Sequence, residues 1–234
     1  MTQRSNEEAD DPRRAFLLKA LAAGVFAAGA TPAAWAQFFG RKPQKLPAGQ
    51  SVYDATGAVT VNGQPATSAT RIGATGSVQT GAGAQLIFVV GFDAFLLREK
   101  SRLELSGDGI LVNTMRLATG ALLSVFGSGQ KRVVTTTSAS GIRGTGLYVE
   151  SEPERSYVCT CYGEVQIATL ADASVTERIV SRHHDAPRYV TKNRIEPAPF
   201  INHTDVELAL IEALVGRTPP FSLFDEDYGG ARRY

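Results

Sequence analysis

From Gly57 onward, apolar residues occur in short runs that alternate with polar positions and are separated by glycine or polar pairs. Such runs, for example GSVQTG, AQLIFVV, SRLELSG and KRVVTTTSAS, recur about every ten residues, the spacing of short strands joined by turns. Val59 and Val61 precede Asn62-Gly63, the dipeptide best suited to a type I′ hairpin turn. The pattern predicts an all-β fold, an antiparallel multi-strand sandwich or roll.

Near the C-terminus the apolar spacing becomes helical, at about residues 204–216. Thr204 followed by Glu207 matches a capping box, and Gly216 suits the left-handed position that ends a helix. The apolar residues of one face are Leu208, Ile211 and Val215. The sequence therefore predicts one amphipathic α-helix that docks on the β domain, followed by a charged tail.

The first 36 residues have the pattern of a cleavable export signal. Arg13-Arg14 precede an apolar segment, and Ala34-Trp35-Ala36 supplies the small-x-small cleavage pattern. The arginine pair resembles a twin-arginine (Tat) signal, although Pro12 replaces the usual serine or threonine, and an ordinary Sec signal is the alternative. We therefore expect a periplasmic protein, exported by the Tat pathway.

Domain boundaries follow from changes in composition. Residues 37–56, which include two prolines of a basic, non-periodic stretch, are predicted to be a linker. Residues 57–168 are predicted to form the β domain, and residues 169–234 a C-terminal extension with further strands and the helix.

Charge and composition exclude several classes of partner. Lys and Arg number 24 against 23 Asp and Glu, a net charge of +1, so we expect no nucleic-acid partner. Two cysteines cannot form a disulfide scaffold. After the signal, no apolar run approaches the length of a membrane helix, so we expect a soluble mature chain without a membrane span. The oligomeric state stays open.

The middle of the chain resembles the FecR domain, the periplasmic β domain of regulators of ferric dicitrate uptake. The resemblance covers about residues 57–168 and is most specific in IRGTGLYV, residues 142–149, and in the later GEV, residues 163–165. Glycine permits turns and close backbone approach, so we interpret these positions as fold markers rather than an active site. The markers are Gly144, Thr145, Gly146 and Gly163.

The resemblance implies a non-enzymatic binding or sensing module of the cell envelope, with an envelope protein or a glycan as partner. Characterised members also have a cytoplasmic segment that controls a sigma factor, a membrane helix and a receptor-contacting C-terminal domain. Here the export signal replaces the first two, and residues 169–234 do not resemble the third, so the link to iron uptake stays open. Hydrolase, dinucleotide, P-loop and zinc-protease motifs are absent from the sequence, and we expect no catalytic residues.

Both cysteines lie in one predicted strand, as Cys159-Thr160-Cys161. Residues i and i+2 of a strand share a face, with Cα atoms about 6.5–7 Å apart, the upper limit for a disulfide. Two cysteines so placed are also suited to bind one soft metal ion. Of the three histidines in the chain, His183 and His184 follow most closely, and sulfur with imidazole nitrogen suits Cu(I) or Zn(II).

The candidate metal ligands are therefore Cys159, Cys161 and one of His183 or His184, because adjacent residues of an extended chain face opposite ways. Asp185 is the candidate acceptor that orients an imidazole. Two alternatives stay open at this point: buried thiols that pack as small apolar groups, and a disulfide formed in an oxidising compartment.

Overall fold

The structure, a computed structural model, describes residues 44–221. The predicted export signal, its cleavage site and most of the charged tail lie outside the described residues. The described part contains fourteen strands and one helix, α1 (Asp205–Leu214). The strands are β1 (Val52–Thr56), β2 (Val59–Val61), β3 (Gln64–Pro65), β4 (Gly76–Thr80), β5 (Gln85–Val90), β6 (Asp93–Leu97), β7 (Arg102–Asp108), β8 (Leu111–Val125), β9 (Gln130–Val134), β10 (Ser138–Ser151), β11 (Ser156–Thr169), β12 (Thr176–Ser181), β13 (Arg188–Val190) and β14 (Ile195–Pro197).

All fourteen strands belong to one sheet, in the order β14-β13-β11-β10-β9-β8-β7-β4-β2-β3. β12 also pairs with β11, and β8 continues through β6 and β5 to β1. The pairs are antiparallel except β8 with β9, which are parallel. The all-β prediction is confirmed, with that one exception to the antiparallel arrangement.

The long strands exchange neighbours along their length. β10 pairs with β9 through residues 139–143 and with β8 through residues 146–151. β8 likewise pairs with β7 first and with β6 later. Strands that change partners in this way turn the corners of a sheet that folds over its own core. The main core contains buried side chains from most of the strands, among them Leu103, Met115, Leu117, Leu147, Val149 and Val165.

Residues 52–56 correct the predicted linker, because they form β1 and pair with β5 from Val52↔Phe88 to Thr56↔Gln85. This segment lacks a clear alternation, but β5 has a free edge that accepts it, and Val52 becomes buried. The predicted boundary at residue 168 does not divide the sheet either, because β12 pairs with β11.

The predicted hairpin turn at Asn62-Gly63 is confirmed. Both residues have positive φ, 50° and 77°, as a type I′ turn requires, and Val61 pairs with Gln64 across it.

The four fold-marker residues lie at an irregularity in the pairing of β10 with β11. The pairing of these strands is irregular between Arg143 and Gly146, and Gly144 has a φ of 55°. A Cβ on Gly146 would lie 2.5 Å from the Tyr162 ring. Turning at Gly144 and close approach at Gly146 are therefore structural requirements of this pairing.

The helix also forms as predicted. Thr204 accepts a hydrogen bond from the backbone N–H of Glu207, whose side chain accepts one from the backbone of Thr204, and this completes the capping box. At the other end Gly216 has a φ of 76°, and the N–H of Arg217 donates to the carbonyl of Glu212 in a Schellman motif. α1 packs on β6 and β8. Between residues 44 and 221, no helix is long and apolar enough to cross a bilayer.

Candidate metal centre

Cys159 and Cys161 lie in the middle of β11 and are fully buried. On one side β11 pairs with β10 along its whole length. On the other side it pairs with β13 through residues 156–158 and with β12 through residues 163–168. The intervening stretch, which contains both cysteines, is therefore open on that side to groups other than strands.

The connection between β12 and β13 fills this opening. The backbone N–H of His184 donates to the carbonyl of Cys161 at 2.9 Å. His184 has a φ of 53°, an uncommon conformation for a residue with a side chain. The carboxylate of Asp185 accepts hydrogen bonds from the backbone N–H groups of Arg182 and His183 and so shapes this turn. Backbone strain held in place by neighbouring contacts is common at functional sites.

A third segment, immediately before α1, contributes His203. Its ring stacks on Tyr148 at 4.4 Å, and its Nδ1 lies 2.7 Å from the carbonyl of Ile201. Tyr157 fixes the same segment, because its hydroxyl donates to the carbonyl of Pro199 at 3.0 Å. His203 is buried, with 4% of its surface exposed.

These segments bring two sulfurs and two imidazole nitrogens within 4.8 Å of one another. Cys159 Sγ lies 3.4 Å from His184 Nδ1, Cys161 Sγ lies 3.5 Å from His203 Nε2, and the two nitrogens are 3.1 Å apart. A tetrahedral ion with bonds of about 2.3 Å to sulfur and about 2.0–2.1 Å to nitrogen requires sulfur–nitrogen separations of about 3.5 Å and nitrogen–nitrogen separations of about 3.3 Å. These three separations are close to that geometry, and the remaining ones are all within 4.8 Å.

The hydrogen bonds on the outer side of each imidazole assign its tautomer. His184 Nε2 lies 2.9 Å from a carboxylate oxygen of Asp205, and His203 Nδ1 faces the carbonyl of Ile201. Both outer partners only accept, so both outer nitrogens donate. The two inner nitrogens therefore face each other with lone pairs unless a cation lies between them. Outer partners of this kind are those that orient metal-binding histidines.

Without a metal, the cation is a proton. Burial lowers the pKa of His184, but hydrogen bonds to Asp205 and Cys159 outweigh burial and raise this pKa to about 9. Burial raises the pKa of Cys159, but hydrogen bonds from Cys161, His184 and His203 outweigh it and leave the pKa well below its ordinary value. The pKa of Cys161 is raised by burial and by Cys159. These shifts favour a thiolate at Cys159 beside an imidazolium at His184, the charge pattern that a metal cation can replace.

The centre is covered by aromatic rings. Phe200 lies 4.5 Å from the His184 ring and 4.6 Å from the His203 ring, and Phe221 stacks on His183 at 4.2 Å. If all four side chains bound one ion, they would complete a tetrahedral coordination sphere and leave no position for a substrate. Such closed sites are structural or storage sites rather than catalytic ones.

The structure brings the two cysteines together with one of the two adjacent histidines. Cys159, Cys161 and His184 meet at the centre, whereas the Nε2 of His183 lies 2.8 Å from Asp205, outside the group of four. The carboxylate of Asp205 lies at the imidazoles of His183 and His184, whereas Asp185, the predicted acceptor, accepts from the backbone of Arg182 and His183. Both cysteines are free thiols in the structure, not bridged to each other.

Sequence reasoning missed His203 as a ligand. One signal was present: the residue directly precedes the capping Thr204, so docking of the predicted helix would carry it towards the sheet.

Comparisons with known proteins return few matches. No protein-family model matches the sequence, and no curated protein does. Two crystal structures, at 1.65 Å and 2.50 Å resolution, of a "putative anti-sigma factor" from Parabacteroides distasonis ATCC 8503 are similar to this chain. Each has 12% sequence identity and a TM-score of 0.43, and the match covers 58% of this chain and 64% of that chain. These values are too low to assign the chain to a family.

Proposed function

We propose that this is an exported, non-enzymatic protein of the cell envelope whose β domain binds one Cu(I) or Zn(II) ion through Cys159, Cys161, His184 and His203. One observation carries the proposal. Two buried imidazole nitrogens face each other at 3.1 Å, each on a ring whose other nitrogen already donates a hydrogen bond, and each has a cysteine sulfur within 3.5 Å. That arrangement stabilises a cation at its centre.

A binding or sensing module that needs no metal is the second candidate. The FecR resemblance of residues 142–149 and 163–165 favours it, with an envelope protein or a glycan as ligand. The two candidates are compatible, because a regulatory β domain can respond to the occupancy of a metal site. The two candidate functions differ in whether the thiols of Cys159 and Cys161 bind a metal ion.

Elemental analysis of the protein purified from the periplasm tests the metal site. We expect about one zinc or copper ion per chain, lost in Cys161→Ser and in His184→Asn. Asparagine is the replacement of choice at position 184 because it tolerates the positive φ found there. His183→Asn is the matched control: it changes the adjacent histidine, which lies outside the group of four, and we expect it to keep the metal.

The proposal fails if the wild-type protein contains no metal, binds neither added ion under reducing conditions and has two free thiols by mass spectrometry. The cysteines are then buried packing residues, and the metal-free sensing module remains. If His183→Asn removes the metal and His184→Asn does not, the ligand assignment is wrong.

A further inference from the structure

We infer that the resident ion is Zn(II), and that Asp205 sets the preference of the centre for a divalent over a monovalent cation. This inference rests on the metal-binding function proposed above and adds the identity of the ion and the residue that selects it. Three observations support the inference: the geometry of the four ligands, the charge of the two buried cysteines and the position of Asp205.

The geometry favours zinc because the ligand set is S₂N₂ and two of its S–N separations and its N–N separation, 3.1–3.5 Å, suit a tetrahedral ion. A tetrahedral S₂N₂ set is typical of zinc. The histidine ligands are anchored by backbone contacts, since His184 N–H bonds to Cys161 and His203 Nδ1 contacts the Ile201 carbonyl. The distances between the ligand atoms are therefore set by the fold and do not depend on which ion binds.

The charge of the site also favours Zn(II) over Cu(I). Cys159 and Cys161 bind as thiolates, so a divalent ion makes the centre neutral, whereas a monovalent ion leaves one negative charge. Both cysteines are fully buried and His203 is nearly so. An uncompensated charge is costly in such surroundings.

Asp205 adds a negative charge next to this buried centre. Its two carboxylate oxygens lie 2.8 Å from His183 Nε2 and 2.9 Å from His184 Nε2. It is the first residue of α1, where the helix dipole favours an ionised carboxylate. Two other carboxylates of the helix have arginine partners: Glu207 pairs with Arg98 at 3.0 Å, and Glu212 pairs with Arg217 at 2.6 Å. Among these three carboxylates, Asp205 is the one directed at a ligand imidazole.

The size of the effect follows from the distance across the imidazole. The carboxylate lies about 6–7 Å from the position of the ion, and at an effective dielectric of about 20 one unit of charge there changes relative affinity roughly 10- to 100-fold. Asp205 interacts with two positive charges on Zn(II) and with one on Cu(I). Removing its charge therefore weakens Zn(II) binding more than Cu(I) binding.

The test is to measure both dissociation constants, by anaerobic competition with chromogenic chelators, for the wild-type protein, Asp205→Asn and Asp205→Glu. Asparagine still accepts a hydrogen bond from His184 but has no charge, whereas glutamate keeps the charge and alters the geometry. We expect the ratio of the Zn(II) affinity to the Cu(I) affinity to fall roughly 10- to 100-fold in Asp205→Asn. In Asp205→Glu the ratio should stay near that of the wild type.

Three other outcomes would contradict the charge argument, the assignment of zinc or the proposed function. If Asp205→Asn weakens both ions by the same factor, Asp205 only positions His184, and the charge argument is wrong. If the protein purified from the periplasm contains copper, the assignment of zinc is wrong although the metal site stands. If the wild-type protein binds neither ion, the proposed function itself fails.

Discussion

At the scale of single residues, the irregular pairing of β10 with β11 depends on glycines. Gly163 has a φ of 91°, and a Cβ there would lie 2.2 Å from Thr145 Cγ2 and 3.0 Å from the carbonyl of Gly144. Thr145 is fully buried and cannot move aside into solvent. The residues interpreted as fold markers are therefore constrained by close packing of two strands, next to but separate from the cysteines.

Replacement of Gly163 by alanine should therefore destabilise the fold. We expect the free energy of unfolding to fall by about 2–4 kcal/mol, because backbone strain at positive φ and a side-chain clash act together. Urea denaturation measures the change.

Gly141→Ala is the control for this substitution. Gly141 also lies in β10, but a Cβ there has its nearest neighbour at 3.9 Å, an ordinary contact distance. We expect a change of less than about 1 kcal/mol. Equal losses of stability in the two variants would contradict the role assigned to Gly163 in the irregular pairing of β10 with β11.

At the scale of elements, the centre connects three parts of the chain that are far apart in sequence. Cys159 and Cys161 come from β11, His184 from the connection between β12 and β13, and His203 from the segment before α1. The helix has other attachments. Arg98 and Glu207 form a partly buried ion pair, and the Tyr162 hydroxyl donates to Glu212. A bound ion would thus add a cross-link to elements that are already docked.

Removal of the metal should therefore lower stability without unfolding the protein. Ligand binding stabilises a fold by about 4 kcal/mol when the free ion is 1,000-fold above its dissociation constant, so chelation should lower the free energy of unfolding by about that amount. Thermal or urea denaturation with and without chelator measures the difference.

Cys161→Ser provides the comparison for the chelation experiment. Having lost a ligand, it should be less stable than the metal-bound wild type and insensitive to chelator. If chelation destabilises both proteins equally, the stabilising ion binds elsewhere and the cross-link is not supported.

At the scale of the whole molecule, the compartment determines the chemistry of the thiols. An oxidising compartment outside the cytoplasm favours oxidation of two neighbouring free thiols, and a bound metal ion would protect Cys159 and Cys161 from it. Proteins exported by the twin-arginine route are folded before they cross the membrane, which would allow the metal to bind first. The export route is thus a separate prediction with a consequence for the site.

Replacement of Arg13-Arg14 by Lys-Lys should trap the precursor in the cytoplasm, because the twin-arginine route depends on that pair. Cell fractionation and immunoblotting measure the distribution. Arg4→Lys, the same substitution outside the pair, should be exported normally. Normal export of the Lys-Lys variant would indicate an ordinary Sec signal.

Features that depend on a few neighbouring residues were predictable. The turn at Asn62-Gly63, the capping box of Thr204 and the shared face of Cys159 and Cys161 all formed as expected. Each depends on backbone dihedral preferences or on the two-residue period of a strand. The pattern of short apolar runs was likewise sufficient to identify the all-β class.

Which residues meet at the candidate metal centre could not be predicted from neighbouring residues alone. His203 lies 42 positions from Cys161, and its distance from the sulfur depends on where α1 docks. His183 and His184 have the same local pattern, and the turn shaped by Asp185 directs one of them towards the sulfurs. β1, too, exists as a strand because β5 offers it an edge.

The order of residues along the chain was therefore enough to establish strands, turns, a capped helix and two cysteines on one face, because those properties arise within a few bonds of each residue. Only the tertiary structure shows that His184 and His203 are the histidines next to the sulfurs and that Asp205 is the carboxylate next to His184. That selection depends on the packing of distant segments, since lone pairs and sulfurs meet only where the sheet, the β12–β13 connection and the helix come together.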